Sequence, residues 1–211
     1  MTILIKLEVL MNKSMKMWML AAILFCCVGF VGCGNNDDTK QQSKEENKQV
    51  VDKKVDAAAC DAAVADYLVN VIGKNYAEGE LCIPSPFVVS ADYGNPEDVK
   101  VWGDFWVFNY DLSGDTLKTV SGGNHPGLMH LKKTANGYEV TAFDQVEDGS
   151  RYLESAKRIF GDQYSSFQDI SGNAEKREDV RRHFVADYVE KHNIAATMIQ
   201  DYGWPAVELP K

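Results

Sequence analysis

Hydrophobic positions change period several times along this chain, and each change marks a boundary. Met17 to Val31 is a continuous apolar run, after which Gly34-Asn35-Asn36-Asp37-Asp38 ends all hydrophobicity at once. From Gly34 to Lys54 only Val50-Val51 is apolar and no aromatic residue occurs. Such a stretch cannot bury enough surface to offset the ordering of its backbone, so it is expected to act as a flexible tether. Val55 to Ile72 then carries Cys60, Ala63, Val64, Tyr67, Leu68 and Val71 at helical spacing, with Gly73 placed as a C-terminal stop.

After Gly79 the period falls to two. Leu81 to Ile83 and Phe87 to Tyr93 are short β-type runs separated by Pro84 and Pro86, which suit an edge or an irregular entry and argue against a central strand. Val99 to Leu112 is a strand with two apolar faces. Val101, Phe105 and Val107 point one way, and Trp102, Trp106, Phe108, Tyr110 and Leu112 the other. Both faces must therefore be covered, and Gly103 marks a bulge or bend. Thr116 to Val120 follows the Ser113-Gly114-Asp115 turn, and Leu128 to Lys133 is joined through Asn136-Gly137 to Tyr138 to Asp144, a hairpin signal.

Helical spacing returns at Arg151 to Phe160, capped by Ser150 and ended by Gly161. A further helix starts at Asn173 with a stripe of Val180, Phe184 and Tyr188, and a last one runs from Ile194 to Tyr202. The pattern predicts one α+β domain over residues 55–211: an N-terminal helix packed on a curved antiparallel sheet, followed by C-terminal helices.

Lys13 and Lys16 before the apolar run give it the plan of a secretory leader, and the run is shorter than the ~20 residues of a spanning helix. An ordinary membrane anchor is the alternative. Phe30-Val31-Gly32-Cys33 resembles the lipobox of bacterial lipoproteins, with phenylalanine where leucine is usual. The resemblance implies a signal peptide over residues 1–32, acylation of Cys33 and an extracytoplasmic, membrane-anchored protein with its tether over 33–54. Met11 or Met15 competes with Met1 as the start. Gly34, in place of the aspartate that holds lipoproteins at the inner membrane, points to the outer membrane of a two-membrane cell.

The net charge of −9 becomes about −11 once three basic and one acidic residue leave with the leader. Nucleic acid is thereby excluded as an expected partner, because neutralising phosphates needs a basic face. Two cysteines remain in the domain, Cys60 and Cys82. Outside the cytoplasm such a pair is expected to form a disulfide, worth roughly 3 kcal/mol in the chain-entropy view, and two buried thiols are the alternative.

Candidate chemistry is sparse. His125 and His130 lie five apart on a strand, so their rings should diverge, and no metal is expected. Ser121 and His125 are near in sequence but lack the strand-elbow-helix setting of a nucleophile, and a glycine-rich connection explains Ser121-Gly122-Gly123 more simply. Lys176-Arg177 and Arg181-Arg182 read as a solvated basic face. The ligand-binding candidates are Trp102, Trp106 and Tyr110, with His125 in a turn at the rim, and the competing reading of these aromatics is core. Core behaviour is expected on one face of the strand, and pocket behaviour for at least one of Trp102 and Trp106.

From Val101 to Phe160, the segments Phe105-Trp106-Val107-Phe108-Asn109-Tyr110, Ser121-Gly122-Gly123-Asn124-His125-Pro126 and Glu147-Asp148-Gly149-Ser150-Arg151-Tyr152 resemble an extracytoplasmic module of bacterial envelope proteins. Some of those proteins look like appendages of membrane-bound antibiotic-sensor metallopeptidases. The module brings no catalytic residues with it. A helix on a bent antiparallel sheet also resembles the cystatin-like and NTF2-like architectures, in which the sheet often encloses an aromatic pocket. These features lead to a non-catalytic domain without cofactor that binds a partner protein or a small envelope ligand. An envelope hydrolase whose site assembles only in three dimensions is the alternative.

Overall fold

The computed structural model describes residues 57–211, which fall within one compact unit, Lys53–Lys211. The leader, Cys33 and the tether lie outside the described residues. Among the described residues, no helix is long and apolar enough to cross a membrane. The architecture is α+β, as the periodicity predicts: a helix, a strongly curled antiparallel-rich sheet, then helices.

Helix α1 covers residues 57–67 and continues through a π turn, Leu68–Ile72, and a 3-10 turn, Gly73–Asn75. Its buried stripe, Cys60, Val64, Leu68 and Ile72, recurs every four residues. On a 3.6-residue helix this drifts by about 40° per step, and the wider π turn takes up part of the drift. Gly73 stands where the helix gives way to the 3-10 turn, but with φ of −59° it keeps a right-handed conformation. It is small because a β-carbon there would come within 2.7 Å of Cys82 Sγ.

That contact also bears on the cysteines. Cys82 meets α1 at Gly73, thirteen residues beyond Cys60 and on the order of 20 Å along the axis. Cys60 lies instead near Tyr93, past the far end of the first strand. A disulfide needs α-carbons within about 7 Å, and no bridge joins Cys60 and Cys82.

The strands are β1 (Leu81–Asp92), β2 (Val99–Ser113), β3 (Thr116–Thr134), β4 (Gly137–Gln145), β5 (Met198–Gln200) and β6 (Val207–Glu208). The sheet order is β1-β2-β3-β5-β6, with β4 also pairing β3. β1 is one continuous edge strand. Pro84 and Pro86 are two residues apart, so both turn their missing N–H the same way, outward, without breaking the ladder to Val107 and Phe105. The register slips between Val88 and Ser90, opposite Gly103, where the bulge was expected.

β3 departs most from expectation. Ser121 to Gly127 is neither a connection nor a turn but the middle of a strand that runs unbroken through Pro126. Glycine is required there by close approach. At Gly122, with φ of +146°, a β-carbon would lie 2.4 Å from the Val107 carbonyl oxygen, and at Gly127 the same distance from that of Asp144.

Helices α2 (Tyr152–Phe160), α3 (Tyr164–Ser171) and α4 (Ala174–Lys191) follow. Asn173 caps α4 by accepting from Lys176 N–H at 3.1 Å, and Gly161 closes α2. Ser150 caps nothing; it lies in a 3-10 turn before α2. The last expected helix is instead β5, parallel to the start of β3.

Each face of β2 is covered, by different elements. The Val99, Val101, Phe105 and Val107 face packs under α1 with Met129 and Leu131. The opposite face carries two separate apolar clusters. One gathers Trp102 with Val146, Phe160 and Phe167 from the α2 and α3 region, and the other gathers Tyr110 with Ile83, Leu117, Val185 and Ile199 beneath α4.

Candidate functional site

Between those two clusters the covered face turns polar. Ser85, Asp104 and Trp106 are all buried there, with Ser85 directly opposite Trp106 on β1 and Asn124 opposite it on β3. Helix α4 lies over this strip. Its buried line is Arg181, Val185 and Val189, one position round from the expected Val180, Phe184 and Tyr188. Arg177 stands one turn before Arg181, so the helix brings two guanidinium groups to the sheet at successive turns.

At the first turn, Arg177 acts on Asp104. Asp104 is fully buried, and burial pushes its carboxyl above the ordinary range, opposed by Trp106, by Asn124 and by the Arg177 charge. Asn124 donates to Asp104 Oδ1 at 3.3 Å. The Trp106 indole is near enough to favour the carboxylate, yet it makes no well-formed hydrogen bond, and Asp104 Oδ2, Trp106 Nε1 and Ser85 Oγ have no partner. Burial of a carboxyl so poorly supported favours its neutral form.

At the second turn the carboxylate of Asp201 is fully engaged, although Arg181 Nε itself has no partner. Arg181, only 4% exposed, holds both oxygens of Asp201 and also reaches Glu178 at 2.9 Å, while its guanidinium stacks on Phe108 at 4.7 Å. Thr119 donates to Asp201 Oδ1 at 2.6 Å. Burial alone would raise Asp201, but the bonds from Arg181 and Thr119 hold it below the ordinary carboxylate value. The basic face expected at Arg181-Arg182 is thus an internal clamp at Arg181, and Arg182 pairs with Asp179 at 3.2 Å.

Beside this clamp a groove of about 380 Å³ opens to solvent. Its apolar wall is Ile199, Trp204, Pro205 and Val207, and its floor is the neutralised pair of Arg181 and Asp201 with Glu178 and Arg182 at the side. Among the described residues, no serine, cysteine or histidine lines it. The arrangement offers apolar contact and a few hydrogen-bonding groups, as a binding surface does.

The candidate residues read from the sequence fall elsewhere. Trp102 packs in the α2 and α3 cluster and donates its indole N–H to the Ile159 carbonyl at 3.0 Å. Trp106 and Tyr110 are buried. None of the three lines the groove. His125 is on the other face of the sheet, opposite Phe105, where Tyr76 Oη contacts its Nε2 at 2.9 Å and Gln145 its Nδ1 at 3.1 Å. Burial lowers the His125 pKa. Ser121 gives its hydroxyl to the Ala77 carbonyl at 2.5 Å, so Ser121 and His125 form no catalytic pair.

His130 lies opposite Lys100 and diverges from His125, as strand parity requires, with Asp98 at 2.6 Å and Asp144 at 3.5 Å. Among the described residues no group of three or more His, Cys, Asp or Glu is placed to hold a metal ion.

Sequence reasoning missed Asp104, Arg181, Asp201 and Trp204. A signal existed for Asp104: it is the one charge inside Val101 to Tyr110, a strand apolar on both sides. Arg181 falls in line with Val185 and Val189 at i+4 steps. Nothing in the sequence joined Asp201 to that helix. Comparison with protein-family models, with curated proteins and with solved structures finds no match to this chain.

Proposed function

We propose that this chain is a lipid-anchored extracytoplasmic binding domain, without catalytic activity, that takes a partner protein or a small envelope ligand in the groove beside α4. The observation that carries this reading is the groove itself: an apolar wall ending in Trp204, set against a rigid, charge-neutral floor at Arg181 and Asp201. A preformed concave surface with few polar groups is the usual form of a ligand site. The lipid on Cys33 follows from the Phe30-Val31-Gly32-Cys33 pattern. The hydrolase alternative gains no support from the engaged ring nitrogens of His125 or from the bonded hydroxyl of Ser121.

A fragment screen by 1H–15N NMR tests the site. Apolar and aromatic fragments are expected to shift Ile199, Trp204 and Val207 together, with no turnover of chromogenic ester or amide substrates. Shifts that cluster elsewhere, or turnover abolished by Ser121→Ala, would overturn the proposal. Mass measurement of the mature N-terminus tests the anchor: acylated Cys33 is expected, and Cys33→Ser should release the protein from the membrane fraction.

A further inference from the structure

Tyr202, Trp204 and Val207 are three of the six large hydrophobic side chains that the described residues expose, and they fall within one uncharged run, Tyr202-Gly203-Trp204-Pro205-Ala206-Val207. Tyr202 is 97% exposed and Trp204 71%. The loop that presents them is held in place. Trp204 N–H donates to the Asp201 carbonyl at 3.1 Å, and Gln200 Nε2 donates to the Trp204 carbonyl at 3.0 Å. Gly203 takes the left-handed turn at φ +79°. Asp201 at its base is clamped by Arg181 and Thr119. A loop anchored by a buried arginine that keeps two aromatic rings in water is built for contact with something outside the domain.

We propose that this loop is a second membrane contact, in which Tyr202 and Trp204 enter the headgroup region of the bilayer that holds the lipid of Cys33. This rests on the lipid-anchor reading above. By its composition Gly34 to Lys54 is expected to act as a tether with an r.m.s. span on the order of 25 Å, which under the lipid-anchor reading keeps the bilayer within reach of the domain. The acidic balance of the chain, −9 over the full sequence and about −11 without the leader, opposes attraction to anionic lipid and favours an uncharged surface as the one suited to touch it. Tryptophan and tyrosine each join an apolar ring to a polar N–H or O–H, which matches the depth-graded polarity of the membrane interface.

The test uses the full-length acylated protein in vesicles of phosphatidylethanolamine and phosphatidylglycerol, doped with phosphatidylcholine brominated on its acyl chains. Trp106 is buried and Trp102 partly buried, and both are common to the two proteins, so the difference between wild type and Trp204→Phe isolates Trp204. Bromolipid is expected to quench a component of wild-type emission that Trp204→Phe lacks, and added salt should not abolish it. A protein that does not float with the vesicles overturns the anchor and the contact together. Flotation with Trp204 unquenched overturns the contact and leaves the anchor standing. Trp204 shielded from aqueous acrylamide but not reached by bromolipid assigns the loop to contact with a second copy of this chain and likewise overturns the proposal.

Discussion

Two aspartates meet two arginines one helical turn apart on α4, and their chemistry is opposite. Asp104 has one hydrogen bond, from Asn124, and no more than the distant charge of Arg177, and is pushed towards its neutral form, whereas Asp201 is gripped at both oxygens by Arg181 and held ionised. Burial disfavours charge at both. Geometry decides which wins, because a bidentate guanidinium replaces the lost water and a charge acting from a distance does not. The difference also divides the covered face of the sheet into a closed polar strip and an end that opens into the groove.

The largest expected effect lies at the closed end. Trp106→Ala should cost roughly 3–5 kcal/mol in urea unfolding, as loss of a large buried ring does. A small cost would mean that the ring borders a space rather than fills one. At the open end, Arg181→Met should cost roughly 3 kcal/mol, the lower part of the range for removing one partner of a buried pair, because Asp201 is 39% exposed and keeps some water. The folded pKa of Asp201 is depressed, so the stability it supplies is present above the unfolded value and lost as pH falls through the folded one. The gap between wild type and Arg181→Met should therefore narrow in acid.

Asp104→Asn should act in the other direction. A raised folded pKa means that the stability of the neutral carboxyl is complete below the ordinary value of 3.8 and is lost as pH rises through the folded value. The asparagine variant should accordingly gain on the order of 1 kcal/mol near neutrality and nothing at low pH. Melting curves across pH check both signs, and the same sign at both aspartates would erase the contrast. The smallest effect belongs to Trp204→Ala. Its side chain is largely in water, so the melting curve should stay within about 0.5 kcal/mol of wild type, while fragment binding in the groove is lost. A large loss of stability would make Trp204 part of the fold instead of part of a site.

Strand parity and helical spacing determined a good deal on their own. The opposite faces of β2, the divergence of His125 and His130, the Asn173 cap, the edge position of the proline-bearing β1 and the α+β order were all legible, because each depends on residues close in sequence. Long-range placement was not. Ser121 to Gly127 resembles a loop by composition, and only the close approach of the Val107 and Asp144 carbonyls shows why glycines continue a strand there. Met198 to Gln200 lies in a stretch whose apolar spacing reads as helical, yet it pairs with Thr116 to Lys118, some eighty residues away. The same crossing carries Asp201 to Arg181 and turns a basic patch into a buried clamp. A charge's role depends on what faces it, and here what faces it arrives from a distant part of the chain, which only the tertiary structure could decide.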